Sequence, residues 1–251
     1  MKQILYELNE KAMEFYHKIL YRSYNTALRY LCERHLTLGT INDLMIGYAN
    51  DDYYNLYDYL KAGGYTDDVI LSSGLVVKDE EGNYIHRYNN RIIFPIKDED
   101  NKFVAFGGRA LDDNIKPKYI NTPETMIYSK AKSLYGINIA KDYADNGLIL
   151  VEGYMDLATM YQAGFKNVVA LLGNATATAQ AELIKKYTNK VILLLDSDMA
   201  GQCAKERAIE IFKAYDIKYT NIKLEGAKDV DEFINKYGAE KIKETLKGWY
   251  I

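Results

Sequence analysis

Three uninterrupted apolar runs follow Gly147: LILV at 148–151, VVALL at 168–172 and VILLL at 191–195. Stretches with helical spacing separate them, at 156–163, 178–187 and 200–215. A strand with one face in water alternates apolar and polar side chains, whereas a continuously apolar strand has both faces covered. Short strands of this kind alternating with helices form βαβ units, and right-handed crossovers then produce a parallel sheet. YTNIKL at 219–224 is a candidate fourth strand. The C-terminal portion is therefore predicted to be an α/β domain.

The first half has a different texture. Leu5, Leu8, Ala12, Phe15, Tyr16, Ile19 and Leu20, then Ala27, Tyr30 and Leu31, fall at helical spacing and predict two or three amphipathic helices over 3–36. From Gly74 onward short β-rich runs take over, at 75–78, 84–88, 91–96 and 103–106. DEEGN and KDEDNK supply turns between them, giving an antiparallel hairpin module. The fold class is thus α/β (α+β overall): a mixed helical and antiparallel β subdomain at 1–135, then a parallel-sheet α/β domain at 136–251. Pro95, Pro117 and Pro123 all lie in the β-rich middle, and no Pro-rich or Gly/Ser-rich linker separates the parts.

Composition narrows the function. With 48% hydrophobic and 27% charged residues in 251, the chain has globular composition. No stretch approaches the ~18 consecutive apolar residues of a membrane span, and Lys2, Glu7, Glu10 and Lys11 interrupt any signal-peptide core. A soluble, cytoplasmic protein with no membrane partner is expected. Cys32 precedes His35 by three residues, but Cys203, His17 and His86 do not complete a four-ligand zinc set, so no zinc site is expected. The net charge of −3 excludes binding of nucleic acid through a global positive field. Between Arg87 and Lys132, however, nine basic residues face six acidic ones, a local excess of three.

Chemistry concentrates at the strand ends. In parallel α/β sheets ligands gather beyond the carboxyl ends of the strands. Glu152 follows LILV directly, and Asp196 and Asp198 follow VILLL in DSDMAG. Residues two apart on an extended chain point the same way, so the two aspartates can face one cation. Three hard oxygen donors suit Mg²⁺ or Mn²⁺, and such a site promotes phosphoryl or nucleotidyl transfer. Taken singly, each carboxylate is as readily a helix N-cap, Asp198 above all. Gly173, Asn174, Thr176 and Thr178 follow VVALL and are candidates for presenting backbone N–H groups to a phosphate. Neither GxGxxG nor GxxxxGK[ST] occurs, so neither a dinucleotide site nor a P-loop is supported.

A glutamate after one strand and Asp-x-Asp after a later one resembles the Toprim domain of bacterial primases, topoisomerases and some nucleases. RIIFPI (91–96), FGGRAL (106–111), PKYINTPET (117–125), SKAKSLYG (129–136) and VEGYMD (151–156) extend the likeness. In order and spacing they resemble the RNA polymerase core of DnaG-type bacterial DNA primases, from the first helices to Gly238. The resemblance implies that Glu152, Asp196 and Asp198 are the central metal-site acids. It places Asp156 beside them and Asp229 and Asp231 of KDVDEF as a further acidic pair, with Val230 where the family more often has proline. It likewise implies that Arg109, Lys118 and Lys130, together with Arg91 at the head of RIIFPI, bind nucleotide or template. RHL at 34–36 stands where RGL is usual, and LGNA at 172–175 where LGTA is common.

The activity implied by the resemblance is DNA-templated synthesis of short RNA primers, with Mg²⁺ or Mn²⁺ as cofactor and single-stranded DNA and ribonucleoside triphosphates as partners. A replicative helicase would be engaged through a region not contained in these residues, and no counterpart of the family's N-terminal zinc module is present in them. A fragment of a longer primase or a minimal relative is therefore expected. Two alternatives stay open: a Toprim-type nuclease sharing the same acids, and a non-catalytic nucleic-acid or nucleotide-binding core. A haloacid-dehalogenase-like phosphatase, suggested by VILLLDSD, would need catalytic motifs downstream for which only about fifty residues remain.

Overall fold

The apolar spacing at the start of the chain folds as one long helix, α1 (Lys2–Tyr21), whose buried face carries Leu5, Leu8, Ala12, Phe15, Tyr16 and Ile19. The structure is a computed structural model that describes residues 1–22, 26–51, 56–112, 114–173 and 176–249. It divides into two units, Met1–Ser129 and Lys130–Ile251.

In the first unit, α1 is followed by α2 (Thr26–Glu33), α3 (Leu38–Asp43), β1 (Gly47–Ala49), α4 (Leu56–Ala62) and α5 (Asp67–Ser72). Then come β2 (Val76–Lys78), β3 (Tyr84–His86), β4 (Arg91–Lys97), β5 (Phe103–Ala110) and β6 (Tyr119–Asn121). The β-rich module is two sheets rather than one hairpin set. β2 and β3 pair alone, while an antiparallel sheet runs β1-β4-β5-β6. The α1 face packs on this sheet with Ile93, Phe106 and Tyr88. Fully burying each such side chain contributes ~1.5–3 kcal/mol.

β5 runs straight through Gly107 and Gly108, although paired glycines ordinarily weaken a strand. The neighbour explains the second of them: a Cβ on Gly108 would overlap the Tyr88 ring. Tyr88 itself is anchored by its hydroxyl, which donates to the Phe106 carbonyl at 3.0 Å and lies 2.8 Å from Thr122 Oγ1. His35 has φ 64°, the left-handed region that favours glycine. A turn that suits glycine is thus kept here with a histidine.

The second unit contains α6 (Ile137–Ala140), β7 (Leu148–Val151), α7 (Tyr154–Gln162), β8 (Val168–Ala170) and α8 (Thr178–Lys185). β9 (Lys190–Leu193), α9 (Met199–Ala214), β10 (Lys218–Asn221), α10 (Val230–Tyr237) and α11 (Ala239–Leu246) complete it. The four strands form a wholly parallel sheet in the order β10-β9-β7-β8. Leu148, Leu150, Val169, Val191 and Leu193 are buried in its core with Ala208 and Phe212 of α9. Truncating one of these leucines to Ala typically costs ~2–5 kcal/mol. The chain winds from β7 to β8 on one side, then crosses to β9 on the other. That reversal opens a crevice between the carboxyl ends of β7 and β9. Among the described residues no helix is long and apolar enough to cross a membrane.

Candidate active site

Register brings the first acids together. Leu150 of β7 lies opposite Leu193 of β9, and the Leu194 N–H donates to the Leu150 carbonyl at 2.9 Å. The two strands therefore end side by side. Glu152 Oε1 accepts a hydrogen bond from the Asp196 N–H at 2.9 Å, just past the last ladder bond. Asp198 is the N-cap of α9, its carboxylate accepting from the Gly201 N–H at 2.8 Å. It occupies the capping position that its sequence allows, and its second oxygen remains available.

The loop after β10 brings the next pair. The Ser197 N–H donates to the Lys228 carbonyl at 2.9 Å, which ties this loop to the Asp196–Asp198 turn. Asp229 caps α10 by accepting from the Glu232 N–H at 2.8 Å, and its other oxygen lies 3.3 Å from Lys228 Nζ. Asp231 and Asp156 sit deeper. Asp231 is 2% exposed and accepts from the Thr159 hydroxyl at 2.6 Å and from Asn235 Nδ2 at 3.1 Å. Asp156 accepts from the Asp231 N–H at 3.1 Å and from the Gly153 N–H at 3.0 Å. This pair stitches α7 to α10.

Electrostatics show how close the acids are. Burial first, then Glu152, Asp229 and Asp198, push the Asp196 carboxyl up from 3.8 to about 7, with Lys228 working against them. Glu152 is raised by burial and by Asp198 and Asp229, although the Asp196 N–H favours its charged form. Asp156 is raised well above the ordinary range, mainly by burial and then by Asp229 and Asp196. Like charges held this close disfavour ionisation unless a cation joins them. Among the described residues no three His, Cys, Asp or Glu side chains are already arranged to hold a metal ion. The two observations agree once the bonds are traced, because one oxygen each of Glu152, Asp198 and Asp229 is turned to a backbone N–H. The donor set, hard carboxylate oxygens in a half-buried cluster, fits a divalent cation of the Mg²⁺ class.

The basic candidates divide sharply. Arg91 is 7% exposed and donates to the carbonyls of Gly108, Pro117 and Lys118 at 3.3, 3.0 and 3.0 Å. Arg109 is 1% exposed, donates to the Ala110 carbonyl at 2.9 Å and stacks its guanidinium 4.3 Å from the centre of the Tyr30 ring. Both lie inside the first unit, where they hold its sheet and loop. Lys118 is half-buried in that unit, and Lys130 is exposed in the second.

Two participants escape a reading of the sequence. A Cβ on Gly201 would overlap the Asp196 carbonyl and sit 2.7 Å from Glu152 Oε1, so α9 can start here only on a glycine. A glycine inside the first turn of a helix was the available signal. Lys228 is the other, recognisable only as the residue before Asp229. In the phosphate-loop candidate, Gln180 Oε1 accepts the Ala177 N–H at 2.9 Å and so closes the start of α8. A Cβ on Gly173 would meet Lys130 Nζ at 2.5 Å, so this lysine lies across the glycine backbone. Asn174 lies outside the described residues.

Comparison with known proteins matches this architecture. Residues 15–141 match the family model "DNA primase catalytic core, N-terminal domain", and residues 149–234 match "Toprim-like". A DNA primase of Clostridium acetobutylicum is 41% identical over 94% of this chain and 39% of its own length. One of Legionella pneumophila is 39% identical over 82% of this chain and 36% of its own. The chain thus spans about two fifths of the length of these curated relatives. Among solved structures, the zinc-binding and RNA polymerase domains of Aquifex aeolicus primase superpose with a TM-score of 0.88 at 31% identity, covering 97% of this chain and 60% of that one. A DnaG primase catalytic domain bound to single-stranded DNA gives 0.87 at 32% identity, covering 98% and 79%.

Proposed function

The chain belongs to the DNA primase catalytic-core family, and from that premise we propose that it synthesises short RNA primers on a DNA template by nucleotidyl transfer. The observation that carries this reading is the convergence of Glu152, Asp196, Asp198 and Asp229 beyond the ends of β7 and β9, tied together by the bond from the Asp196 N–H to Glu152 Oε1 and by that from the Ser197 N–H to the Lys228 carbonyl. When bound, Mg²⁺ or Mn²⁺ supplies the charge neutralisation that two phosphate oxygens need in an in-line displacement. Glu152, Asp196, Asp198 and Asp229 are the residues that would hold it. Asp156 and Asp231, expected beside them as ligands, act as positioning residues that lock α7 to α10.

In this reaction a primer 3′-hydroxyl attacks the α-phosphorus of a ribonucleoside triphosphate, loses its proton to solvent or to a cluster carboxylate, and pyrophosphate leaves. Lys118 and Lys130 bind phosphates of template or nucleotide, while Arg91 fixes the backbone at Lys118. The template is single-stranded DNA, as in the solved relative bound to it. The reading places the chain in the cytoplasm with replicating DNA.

The test is incubation of the purified chain with single-stranded DNA, labelled ribonucleotides and Mg²⁺ or Mn²⁺, beside Asp196→Ala. Labelled RNA from wild type alone, with both proteins folded by circular dichroism, is the expected result. Equal synthesis by Asp196→Ala refutes the site assignment. Degradation of the template without synthesis replaces the primase reading with a nuclease.

A further inference from the structure

Thr159 stands in the middle of α7, 2% exposed, beside Leu157, Ala158 and Met160, which are buried as well. A threonine in a helix interior is stiff at χ1, and its hydroxyl ordinarily returns to a carbonyl of the preceding turn. Here the hydroxyl donates to another helix instead, reaching Asp231 Oδ1 of α10 at 2.6 Å.

The bond belongs to a two-point clamp. Asp156 and Thr159 are three residues apart on α7 and therefore share a face. Asp231 meets both: its N–H donates to Asp156 Oδ1 at 3.1 Å and its carboxylate accepts from Thr159. Asn235, one turn further along α10, donates to the same Oδ1 at 3.1 Å and so fixes the carboxylate that Thr159 grips. One bond alone would let α10 pivot about it, whereas two fix rotation as well as distance.

What the clamp sets lies at the starts of the two helices. α7 begins directly after Glu152 and Gly153, and the Gly153 N–H donates to Asp156 Oδ2 at 3.0 Å. α10 begins on its cap Asp229, two residues before Asp231. The spacing between Glu152 and Asp229 thus depends on how firmly α7 and α10 are joined.

We propose that Thr159 is a positioning residue that tunes the acid site to a small divalent cation. The proposal rests on the metal-dependent reading of that site above. Mg²⁺ requires oxygens at about 2.0–2.1 Å in near-ideal octahedral geometry, whereas Ca²⁺ accepts a more flexible set at about 2.3–2.6 Å. Acids held at a fixed spacing favour the smaller ion, and slack between α7 and α10 weakens its binding more than that of the larger one.

The probe is Mn²⁺, whose free-ion paramagnetic resonance signal is lost on binding, displaced from the full chain by Mg²⁺ or by Ca²⁺. Thr159→Val keeps the shape and removes the hydroxyl, Thr159→Ala removes it without setting a methyl group against Asp231, and Thr159→Ser retains it. The two variants without the hydroxyl should bind Mg²⁺ roughly tenfold more weakly, at the lower end of what loss of an outer partner of metal ligands causes, while Ca²⁺ binding changes far less. The serine variant should match wild type. Ile184→Val, which trims the core of the same unit on α8, should leave the ratio of Mg²⁺ to Ca²⁺ affinity unchanged. An equal fall for both ions, no fall for Mg²⁺, or the same change of ratio in Ile184→Val overturns the positioning role and leaves the acid site standing. Mn²⁺ binding as tight in Asp196→Ala as in wild type sinks the acid site itself, and the role of Thr159 with it.

Discussion

Replacing Asp196 by asparagine separates electrostatic strain from metal binding. The Asp196 carboxyl titrates near 7 in the fold against 3.8 when unperturbed. At about 1.4 kcal/mol per pH unit this corresponds to ~4 kcal/mol, and because the group is only half-buried, solvent screening brings the working figure to ~2 kcal/mol. The sign follows from proton binding. Between pH 4 and 7 the folded state keeps a proton that the unfolded state has lost, so stability falls as pH rises through this window and levels off above it. The amide introduced by Asp196→Asn cannot ionise, and it also relieves Glu152 and Asp156 of a neighbouring charge. In EDTA, urea unfolding should therefore show variant and wild type alike near pH 4 and the variant ~2 kcal/mol more stable at pH 8. Adding Mg²⁺ to ten times its dissociation constant stabilises wild type by ~1.4 kcal/mol and the variant by much less. Curves that fail to diverge with pH refute the crowded-carboxylate account. Equal stabilisation of both proteins by Mg²⁺ refutes Asp196 as a ligand.

Two further perturbations probe the frame around the site. Gly201→Ala places a methyl group on the Asp196 carbonyl and near Glu152, which costs ~1–3 kcal/mol if α9 yields. Primer synthesis in that variant should drop by about two orders of magnitude while circular dichroism stays native; wild-type rates would show that the contact does not position the acids. In the first unit His86 stacks on Tyr16, with Nε2 2.7 Å from the Tyr16 hydroxyl, and burial lowers it from 6.5 to about 4. A lowered folded value means that its contribution is intact above pH 6.5 and is lost as pH falls toward 4, by at most ~3 kcal/mol. His86→Phe should flatten this acid limb of the wild-type stability curve in urea titrations, and an unchanged limb would remove His86 from the account.

The parallel sheet is legible in the sequence because burial on both faces leaves no polar positions in LILV, VVALL and VILLL. β1 and β6 are not, since three residues are too few to establish a period and GYA and YIN lie among turn residues. α10 and α11 follow the last apolar run, and no strand beyond them frames their pattern. Strand order is the other hidden quantity. Nothing local says that β9 lies beside β7 with β8 on the far side, yet only that order sets Glu152 against Asp196.

The placement of the acids follows from the strands that carry them, that of Arg91 and Arg109 does not, and one physical reason covers both. A carboxylate at the end of a buried parallel strand has few places to go, because the strand fixes its height and the crevice fixes its direction. Glu152, Asp196 and Asp198 are constrained in this way by four-residue strands. A guanidinium on an antiparallel strand has long reach and five donors, and it can turn to whichever carbonyls lie unpaired nearby. Arg91 finds three of them across β5 and the loop before β6. Arg109 finds the Ala110 carbonyl and the Tyr30 ring.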